Sequence, residues 1–132
     1  MKMQGSGLPG LDHSEAIAKL ETDGTVILNS GGADIGTGLD TISAKIVAEI
    51  LKLPMDKITV NSGDTDSCAF DTGAYASSGT FFTGNASVVA TRKLKDMIIK
   101  EAAFQLEEKE YDLDVRAPGA VLSKKTCKVL SY

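Results

Sequence analysis

Apolar and polar residues alternate in two short runs near the N-terminus. Ala16-Ile17-Ala18-Lys19-Leu20 and Thr25-Val26-Ile27-Leu28 lie on either side of the dipeptide Asp23-Gly24. Asp-Gly is typical of a tight hairpin turn, because both residues tolerate the positive φ angles that such a turn requires. The pattern therefore predicts two antiparallel strands joined at this dipeptide. The preceding residues 1–13 are rich in glycine and carry Pro9, which predicts an irregular entry segment.

Helical spacing replaces this alternation in the next stretch, from Asp40 to Lys52. Apolar residues recur there on one face, at Ile42, Ile46, Val47, Ile50 and Leu51. The predicted helix ends at Leu53-Pro54, since proline disfavours helical geometry in the residue before it. Lys57-Ile58-Thr59-Val60-Asn61 alternates again and predicts a third strand.

The strongest periodic signal predicts a long helix from about Thr83 to about Lys109, with apolar residues at Ala86, Ala90, Leu94, Met97, Ile98, Ala102 and Leu106.

The residues between Ser62 and Gly84 are mostly small or polar. Long connections without secondary structure are uncommon in compact domains and are usually functional, so we interpret these residues as a functional loop. After the helix, Ala117-Pro118-Gly119 predicts a turn, followed by at least one more strand. We expect residues 113–132 to be a C-terminal strand region that is truncated.

The predicted order is β-β-α-β-α-β. This order favours an α+β fold with two layers, in which two helices pack on one face of a mixed β-sheet. A chain of 132 residues, 42% of them hydrophobic, has the size of a single domain over residues 1–132.

Charge and hydropathy exclude several classes of partner. The formal net charge is −4, and no basic stripe is present to neutralise a nucleic-acid backbone. No apolar stretch has the roughly 20 residues needed to span a membrane, and the N-terminus lacks the features of a signal peptide. We therefore expect a soluble, cytoplasmic protein that binds neither nucleic acid nor membrane.

Two loops that are poor in large side chains lead into the predicted helices. The first contains Gly36-Thr37-Gly38, and the second contains residues 76–80, Ala-Ser-Ser-Gly-Thr. The first N–H groups of a helix have no internal partner and carry partial positive charge, so a helix start can receive an anion. If both loops converge, their amides and the hydroxyls of Thr37, Ser77 and Thr80 would form a phosphate or pyrophosphate site. Each loop alone is more simply explained as an ordinary N-cap or turn.

Other candidate groups favour structural roles. Asp64, Asp66 and Asp71 could form a metal or acid–base cluster, but aspartate readily caps turns and no EF-hand spacing is present. His13 is the only histidine, and no nucleophile motif accompanies it. The glycines match neither a dinucleotide fingerprint nor a P-loop. We therefore assign no catalytic residue and no metal ligand.

Taken in order, the motifs resemble the large subunit of the xanthine dehydrogenase and aldehyde oxidase family. The similarity is closest to bacterial branches that include 4-hydroxybenzoyl-CoA reductase, carbon monoxide dehydrogenase and nicotinate dehydrogenase. It covers roughly residues 3 to 112 and is carried by Asp23-Gly24-Thr25-Val26, Gly36-Thr37-Gly38 with Thr41, Ala48-Glu49-Ile50-Leu51, Asp64-Thr65-Asp66, Gly73-Ala74-Tyr75-Ala76-Ser77 and Gly84-Asn85-Ala86.

The resemblance implies a molybdenum cofactor-binding domain that holds molybdopterin, with the dinucleotide form left open. The implied cofactor contacts are Gly36, Thr37, Gly38, Ala76, Ser77, Ser78, Gly79 and Thr80. Thr37 stands where the family commonly has glutamine, and Ser78 stands where bacterial relatives often have arginine.

The resemblance further implies a molybdenum hydroxylase whose general-base glutamate lies beyond the last residue of this chain. We expect the chain to be an incomplete piece that is inactive alone. Its implied partners are the remainder of the molybdopterin subunit and the iron–sulfur and flavin subunits or domains. The alternatives are a non-catalytic module for a phosphate-bearing ligand and an assembly module. The substrate and the oligomeric state are not indicated.

Overall fold

Two helices and six strands make up the part of the chain that the computed structural model describes, residues 5–6 and 10–132. Short 3-10 turns at Met55–Lys57 and Glu110–Asp112 precede the third and fourth strands. In chain order the elements are β1 (Ala16–Leu20), β2 (Val26–Ser30), α1 (Leu39–Leu51), β3 (Ile58–Ser62), α2 (Gly79–Leu106), β4 (Leu113–Arg116), β5 (Ala120–Ser123) and β6 (Val129–Ser131).

The first three strands form a mixed sheet in the order β1-β2-β3. The strands β1 and β2 form the predicted antiparallel hairpin, and β3 lies parallel to β2 after the α1 crossover. The register aligns Ala18, Leu28 and Val60 in one row across the sheet. This row faces the helices, and Leu28 is fully buried, whereas Ile17 on the opposite face is 55% exposed. One face of the sheet therefore carries the core.

Helices α1 and α2 pack against each other and against that face. Val47 and Leu51 of α1 meet Leu94, Ile98 and Ala102 of α2 in one hydrophobic cluster. Helix α1 ends where proline predicted it, with Lys52 in the left-handed conformation at φ 56°. Helix–helix and helix–sheet packing on a single side confirms the two-layer α+β fold.

Residues 113–132, for which the sequence predicts a turn and at least one more strand, contain three strands. They form a second sheet, antiparallel throughout, in the order β4-β5-β6. This sheet is fixed to the end of α1, because the Gly119 amide donates to the Lys52 carbonyl at 3.1 Å and the Tyr132 hydroxyl donates to the Leu51 carbonyl. Val115 joins the common core, so the two sheets share one interior.

Helix α2 begins at Gly79, earlier than the predicted start near Thr83. The carbonyl of Ser78 accepts hydrogen bonds from the amides of Phe81 and Phe82, and these bonds close the first turn of the helix. The residues of this turn do not show the apolar periodicity from which the start was predicted. The preceding loop is correspondingly shorter than predicted.

Residues 5–6 and 10–13 of the entry segment carry no helix or strand, and residues 1–4 and 7–9 lie outside the described part. Across the described ranges, neither helix combines the length and apolar character that crossing a membrane demands.

Candidate cofactor-binding site

The two glycine-containing stretches singled out from the sequence meet at one cavity of about 400 Å³. The first stretch contributes Thr37 from the loop before α1. The second contributes residues 76–80, which include the start of α2. Gly36 and Gly38 flank Thr37 along the chain but are not among the lining residues. The full lining consists of Ala33, Ile35, Thr37, Leu39, Ala74, Tyr75, Ala76, Ser77, Ser78, Gly79 and Thr80.

The second stretch is shaped by two consecutive residues in the left-handed region. Ala76 has φ 49° and Ser77 has φ 55°, values that non-glycine residues adopt uncommonly. Ser78 closes the turn, since both its amide and its hydroxyl donate to the carbonyl of Tyr75, at 2.9 Å and 2.6 Å. The hydroxyl of Ser78 is therefore used within the protein, although the residue lines the cavity.

Three amides at this turn are available to a ligand. Within residues 5–6 and 10–132, the backbone N–H groups of Ser77, Gly79 and Thr80 have no acceptor. Gly79 and Thr80 form the first turn of a 28-residue helix, where the helix dipole adds partial positive charge. This end of the cavity has the donors and the charge that bind an anion.

The amides before α1 are arranged differently. One carboxylate oxygen of Asp34 accepts hydrogen bonds from the amides of Gly36, Thr37 and Gly38, at 2.9, 3.0 and 3.2 Å. Burial raises the pKa of Asp34, but these bonds and one from the Asp40 amide outweigh it and hold that pKa below its ordinary value. The hypothesis that both helix starts offer free amides is therefore corrected, because a carboxylate of the chain itself already occupies the α1 start.

The hydroxyls proposed as donors remain accessible. Thr37, Ser77 and Thr80 are all exposed and all line the cavity. No hydroxyl of these three has a hydrogen-bond partner within the described ranges 5–6 and 10–132. The cavity thus combines free amides on the α2 side with hydroxyls on both sides.

A contact that the sequence did not predict holds residue Tyr75, which directly precedes residues 76–80. The hydroxyl of Tyr75 donates to the carboxylate of Asp12, which also accepts from the amide and hydroxyl of Ser6. The Tyr75 hydrogen bond is the main cause that lowers the pKa of Asp12, and the same bond raises the pKa of Tyr75. Tyr75 and Asp12 are 63 positions apart, so no local spacing could reveal the pair.

The remaining acidic candidates have structural partners. Asp64 caps its own turn by accepting from the Asp66 amide at 3.0 Å and the Ser67 hydroxyl at 2.7 Å. Asp71 accepts from the Gly73 amide and from the Thr83 hydroxyl at 3.1 Å, which ties the loop to α2. No group of three or more His, Cys, Asp or Glu residues is placed to hold a metal in the described part of the chain.

His13 also has a structural partner. Its Nε2 atom lies 2.9 Å from the Glu15 carboxylate, and its ring packs beside Phe70. Residues 13–15 run along residues 70–72, where the Glu15 amide donates to the Phe70 carbonyl and the Thr72 amide donates to the His13 carbonyl. These contacts favour the structural interpretation of the histidine.

Residues 1–131 match the family described as "Molybdopterin cofactor-binding domain". The chain belongs to this family. The chain is 50% identical over 123 residues to the probable hypoxanthine oxidase of Escherichia coli (strain K12), an alignment that covers 93% of this chain and 13% of that protein. It is 34% identical over 119 residues to the carbon monoxide dehydrogenase large chain of Afipia carboxidovorans, covering 86% of this chain and 15% of that one.

Solved structures agree with the fold. Reconstituted CO dehydrogenase from Oligotropha carboxidovorans superposes with a TM-score of 0.83 and 31% identity, covering 91% of this chain and 15% of the other. Quinoline 2-oxidoreductase from Pseudomonas putida 86 gives a TM-score of 0.78, covering 86% of this chain and 14% of the other. Its identity of 24% carries information about the fold alone.

These matches confirm the family resemblance and molybdopterin as the cofactor of the domain. They also confirm the relationship to molybdenum-dependent oxidoreductases, which several relatives are by name. The chain spans about 13% of the hypoxanthine oxidase and 15% of the carbon monoxide dehydrogenase chain that it matches. Relatives described as a large chain or a molybdenum-binding subunit are parts of multi-subunit assemblies. The individual contact residues remain a prediction.

Proposed function

We propose that this chain is the segment of a xanthine dehydrogenase-like molybdopterin-binding subunit that holds the pterin and phosphate portions of the cofactor. The observation that carries this proposal is the meeting of Thr37 and residues 76–80 at one cavity of about 400 Å³. Two stretches far apart in sequence would not be expected to share a cavity if each were only a local helix cap.

The donor set fits a phosphate on the α2 side of the cavity. Three unpartnered amides, those of Ser77, Gly79 and Thr80, supply hydrogen bonds without requiring a lysine or arginine. Because the Asp34 carboxylate already occupies the α1 amides, a second anion there would meet like charge. We therefore assign the phosphate to α2 and the neutral pterin edge to the side of Thr37.

The residues of this chain bind and orient the cofactor and take no proton in the reaction. When bound, molybdopterin supplies the molybdenum centre at which enzymes of this family hydroxylate a carbon atom of their substrate. We propose that the general-base glutamate and the substrate pocket belong to the remainder of the subunit. We further propose iron–sulfur and flavin subunits or domains as partners that carry the electrons away.

The test compares a charged and an uncharged side chain of nearly the same size at the cavity. Aspartate and asparagine have nearly the same size, and both tolerate the left-handed conformation of Ser77. The protein is expressed from its complete native operon as wild type, Ser77→Asp and Ser77→Asn. Molybdenum and oxidised pterin are then measured per polypeptide. We expect Ser77→Asp to lower cofactor content by about tenfold, because the added carboxylate repels phosphate, and Ser77→Asn to retain it.

A matched control separates this effect from the general effect of an added acid. Thr65 is exposed and is not among the residues that line the cavity, so Thr65→Asp should retain the cofactor. If Ser77→Asp binds molybdopterin as well as wild type does, the site is misplaced. If wild-type protein contains neither molybdenum nor pterin, the proposed function itself is wrong and a module for another phosphate ligand is favoured.

A further inference from the structure

A second and larger depression lies along the later turns of α2, away from the start of that helix. It has a volume of about 550 Å³, and apolar side chains of α2 form much of its surface, among them Leu94, Met97, Ile98 and Ala102. Residues 18–20 of β1 and residues 130–132 at β6 also line it. We refer to this depression as the β1–β6 groove.

One side of the β1–β6 groove belongs to β1, whose outer edge pairs with no other strand within residues 5–6 and 10–132. Strand β1 is the outermost strand of its sheet. The Glu21 amide donates to the Thr25 carbonyl at 2.8 Å, and the Gly31 amide donates to the Glu15 carbonyl at 3.1 Å. Odd-numbered residues of β1 therefore bond toward β2. Since antiparallel bonding alternates along a strand, the backbone groups of Ala18 and Leu20 point away from the sheet.

The other side of the groove is also the outer edge of a strand. Strand β6 is outermost in the second sheet. The Tyr132 amide donates to the Gly119 carbonyl at 3.2 Å, and the Lys128 carbonyl accepts from the Ser123 amide at 2.9 Å. Even-numbered residues around β6 thus bond toward β5. By the same alternation, the backbone groups of Val129 and Ser131 face outward.

The apolar floor between these edges is exposed. Met97 is 68% exposed although it lines the groove beside the buried Leu94 and Ile98. An extended peptide satisfies both features, because its backbone pairs with a free strand edge and its alternate side chains cover an apolar surface. A helix or a small molecule would leave the strand edges unpaired.

We propose that an extended segment from the remainder of the subunit docks in the β1–β6 groove as a β-strand. It adds to the outer edge of β1 and turns alternate apolar side chains onto α2. The proposal rests on the proposed function, in which this chain is part of a larger subunit. Relatives extend far beyond the matched part, which is 13% of the hypoxanthine oxidase. Segments tethered in one polypeptide also reach a free edge at high effective concentration.

Photo-crosslinking identifies the occupant directly. A benzoylphenylalanine residue is introduced at Met97 or, as a matched control, at Phe104 in protein expressed from the complete native operon. Phe104 lies on the same helix and is 81% exposed, but it does not line the groove. We expect Met97→benzoylphenylalanine to cross-link within its own polypeptide, to an extended segment outside these 132 residues. A cross-link to a second copy or to a different polypeptide, or no cross-link above the Phe104 control, would overturn the proposal.

Hydrogen exchange gives a second readout that needs no variant. In the complete protein, the amides of Ala18 and Leu20 should exchange at least about 100-fold more slowly than the amide of the exposed residue Thr65, because strand pairing protects them. Exchange as fast as that of Thr65 would contradict docking at β1. Molybdenum content is measured on the same sample. Protection without molybdenum leaves the docking in place and rejects the cofactor function, whereas molybdenum without protection rejects the docking alone.

Discussion

A carboxylate oxygen of Asp34 lies 3.0 Å from the amide nitrogen of Thr37 and accepts its hydrogen bond. The same oxygen also binds the amides of Gly36 and Gly38, so one side chain holds the entire turn that leads into α1. Thr37 lines the cofactor cavity, whereas Asp34 does not. We therefore propose that Asp34 is a positioning residue that acts on the cofactor through Thr37.

Replacing Asp34 should weaken cofactor binding without a direct contact. Asp34→Ala removes the acceptor of three amides, and we expect molybdopterin content to fall by about tenfold, as for other residues that orient a ligand-binding group. Asp34→Asn keeps one acceptor oxygen and should retain more cofactor than Asp34→Ala. Molybdenum and pterin per polypeptide measure both effects. Equal cofactor content in wild type and Asp34→Ala would show that the turn keeps its shape without the carboxylate.

The turn of residues 36–38 should lose its Asp34 hydrogen bonds in acid. The pKa of Asp34 in the folded protein lies below its ordinary value of 3.8. Its contribution to turn stability is therefore complete at neutral pH and is lost as the pH falls through that lowered pKa. We expect the amide NMR signals of Gly36, Thr37 and Gly38 to shift with a midpoint below pH 3.8. A transition above that value would contradict the assignment.

The opposite wall of the cavity depends on the Tyr75–Asp12 hydrogen bond. Tyr75→Phe removes the donor, so the pKa of Asp12 should rise toward its ordinary value and the left-handed turn at Ala76 and Ser77 should become more mobile. We expect lower molybdopterin content in Tyr75→Phe and in Asp12→Ala, which removes the acceptor oxygen. Because both changes break the same bond, the double variant should lose little more than either single variant. Additive losses would indicate that the two residues act independently.

Local patterns in the sequence were sufficient to predict the elements that form the frame of the site. Asp23-Gly24 predicted the β1–β2 hairpin, and the helical spacing between Asp40 and Lys52 predicted α1. Both signals arise within a few residues of one another, which is the range over which side-chain periodicity and turn chemistry act. The same local signals located the two loops that meet at the cavity.

Features that depend on distant or side-chain contacts were not predictable. The capture of the α1 amides by Asp34 depends on how one loop folds back on itself, and an aspartate at this spacing could equally face solvent. The pairing of residues 13–15 with residues 70–72 joins segments that share no local pattern. The alternation Leu113-Asp114-Val115-Arg116 was a signal for β4, but four residues are too few to distinguish a strand from a loop.

Loss of the hydrogen bond of Tyr132 should make the second sheet less stable at strongly alkaline pH. Burial raises its pKa from 10.0 to about 12, and its hydroxyl donates to the Leu51 carbonyl. The stabilisation is therefore complete below pH 10.0 and is lost as the pH rises toward about 12. Tyr132→Phe should lower the free energy of unfolding by about 1 kcal/mol at neutral pH. Denaturant unfolding measures the loss, and Tyr111→Phe, at a residue that is 70% exposed, serves as the control.

Gly31 occupies a position where backbone from another segment leaves no room for a side chain. A Cβ atom at Gly31 would lie 2.5 Å from the Ala69 carbonyl oxygen and 2.7 Å from the Phe70 carbonyl carbon. Because both neighbours are backbone atoms, no rotamer change relieves the clash. Gly31→Ala should therefore lower the free energy of unfolding by about 1–3 kcal/mol. It should also reduce cofactor content, since the displaced loop carries Asp71, which binds Thr83 of α2.

Gly84 provides the matched control for the same substitution. It lies inside α2, and a Cβ atom there would be 3.5 Å from the Ile46 side chain, an ordinary contact. Alanine favours a helix interior over glycine, so Gly84→Ala should raise the free energy of unfolding by about 0.5–1 kcal/mol. Urea unfolding of both variants gives the comparison. If Gly31→Ala were as stable as Gly84→Ala, residues 69–70 could not lie against the end of β2. The loop between β3 and α2 would then approach the cofactor cavity by another path.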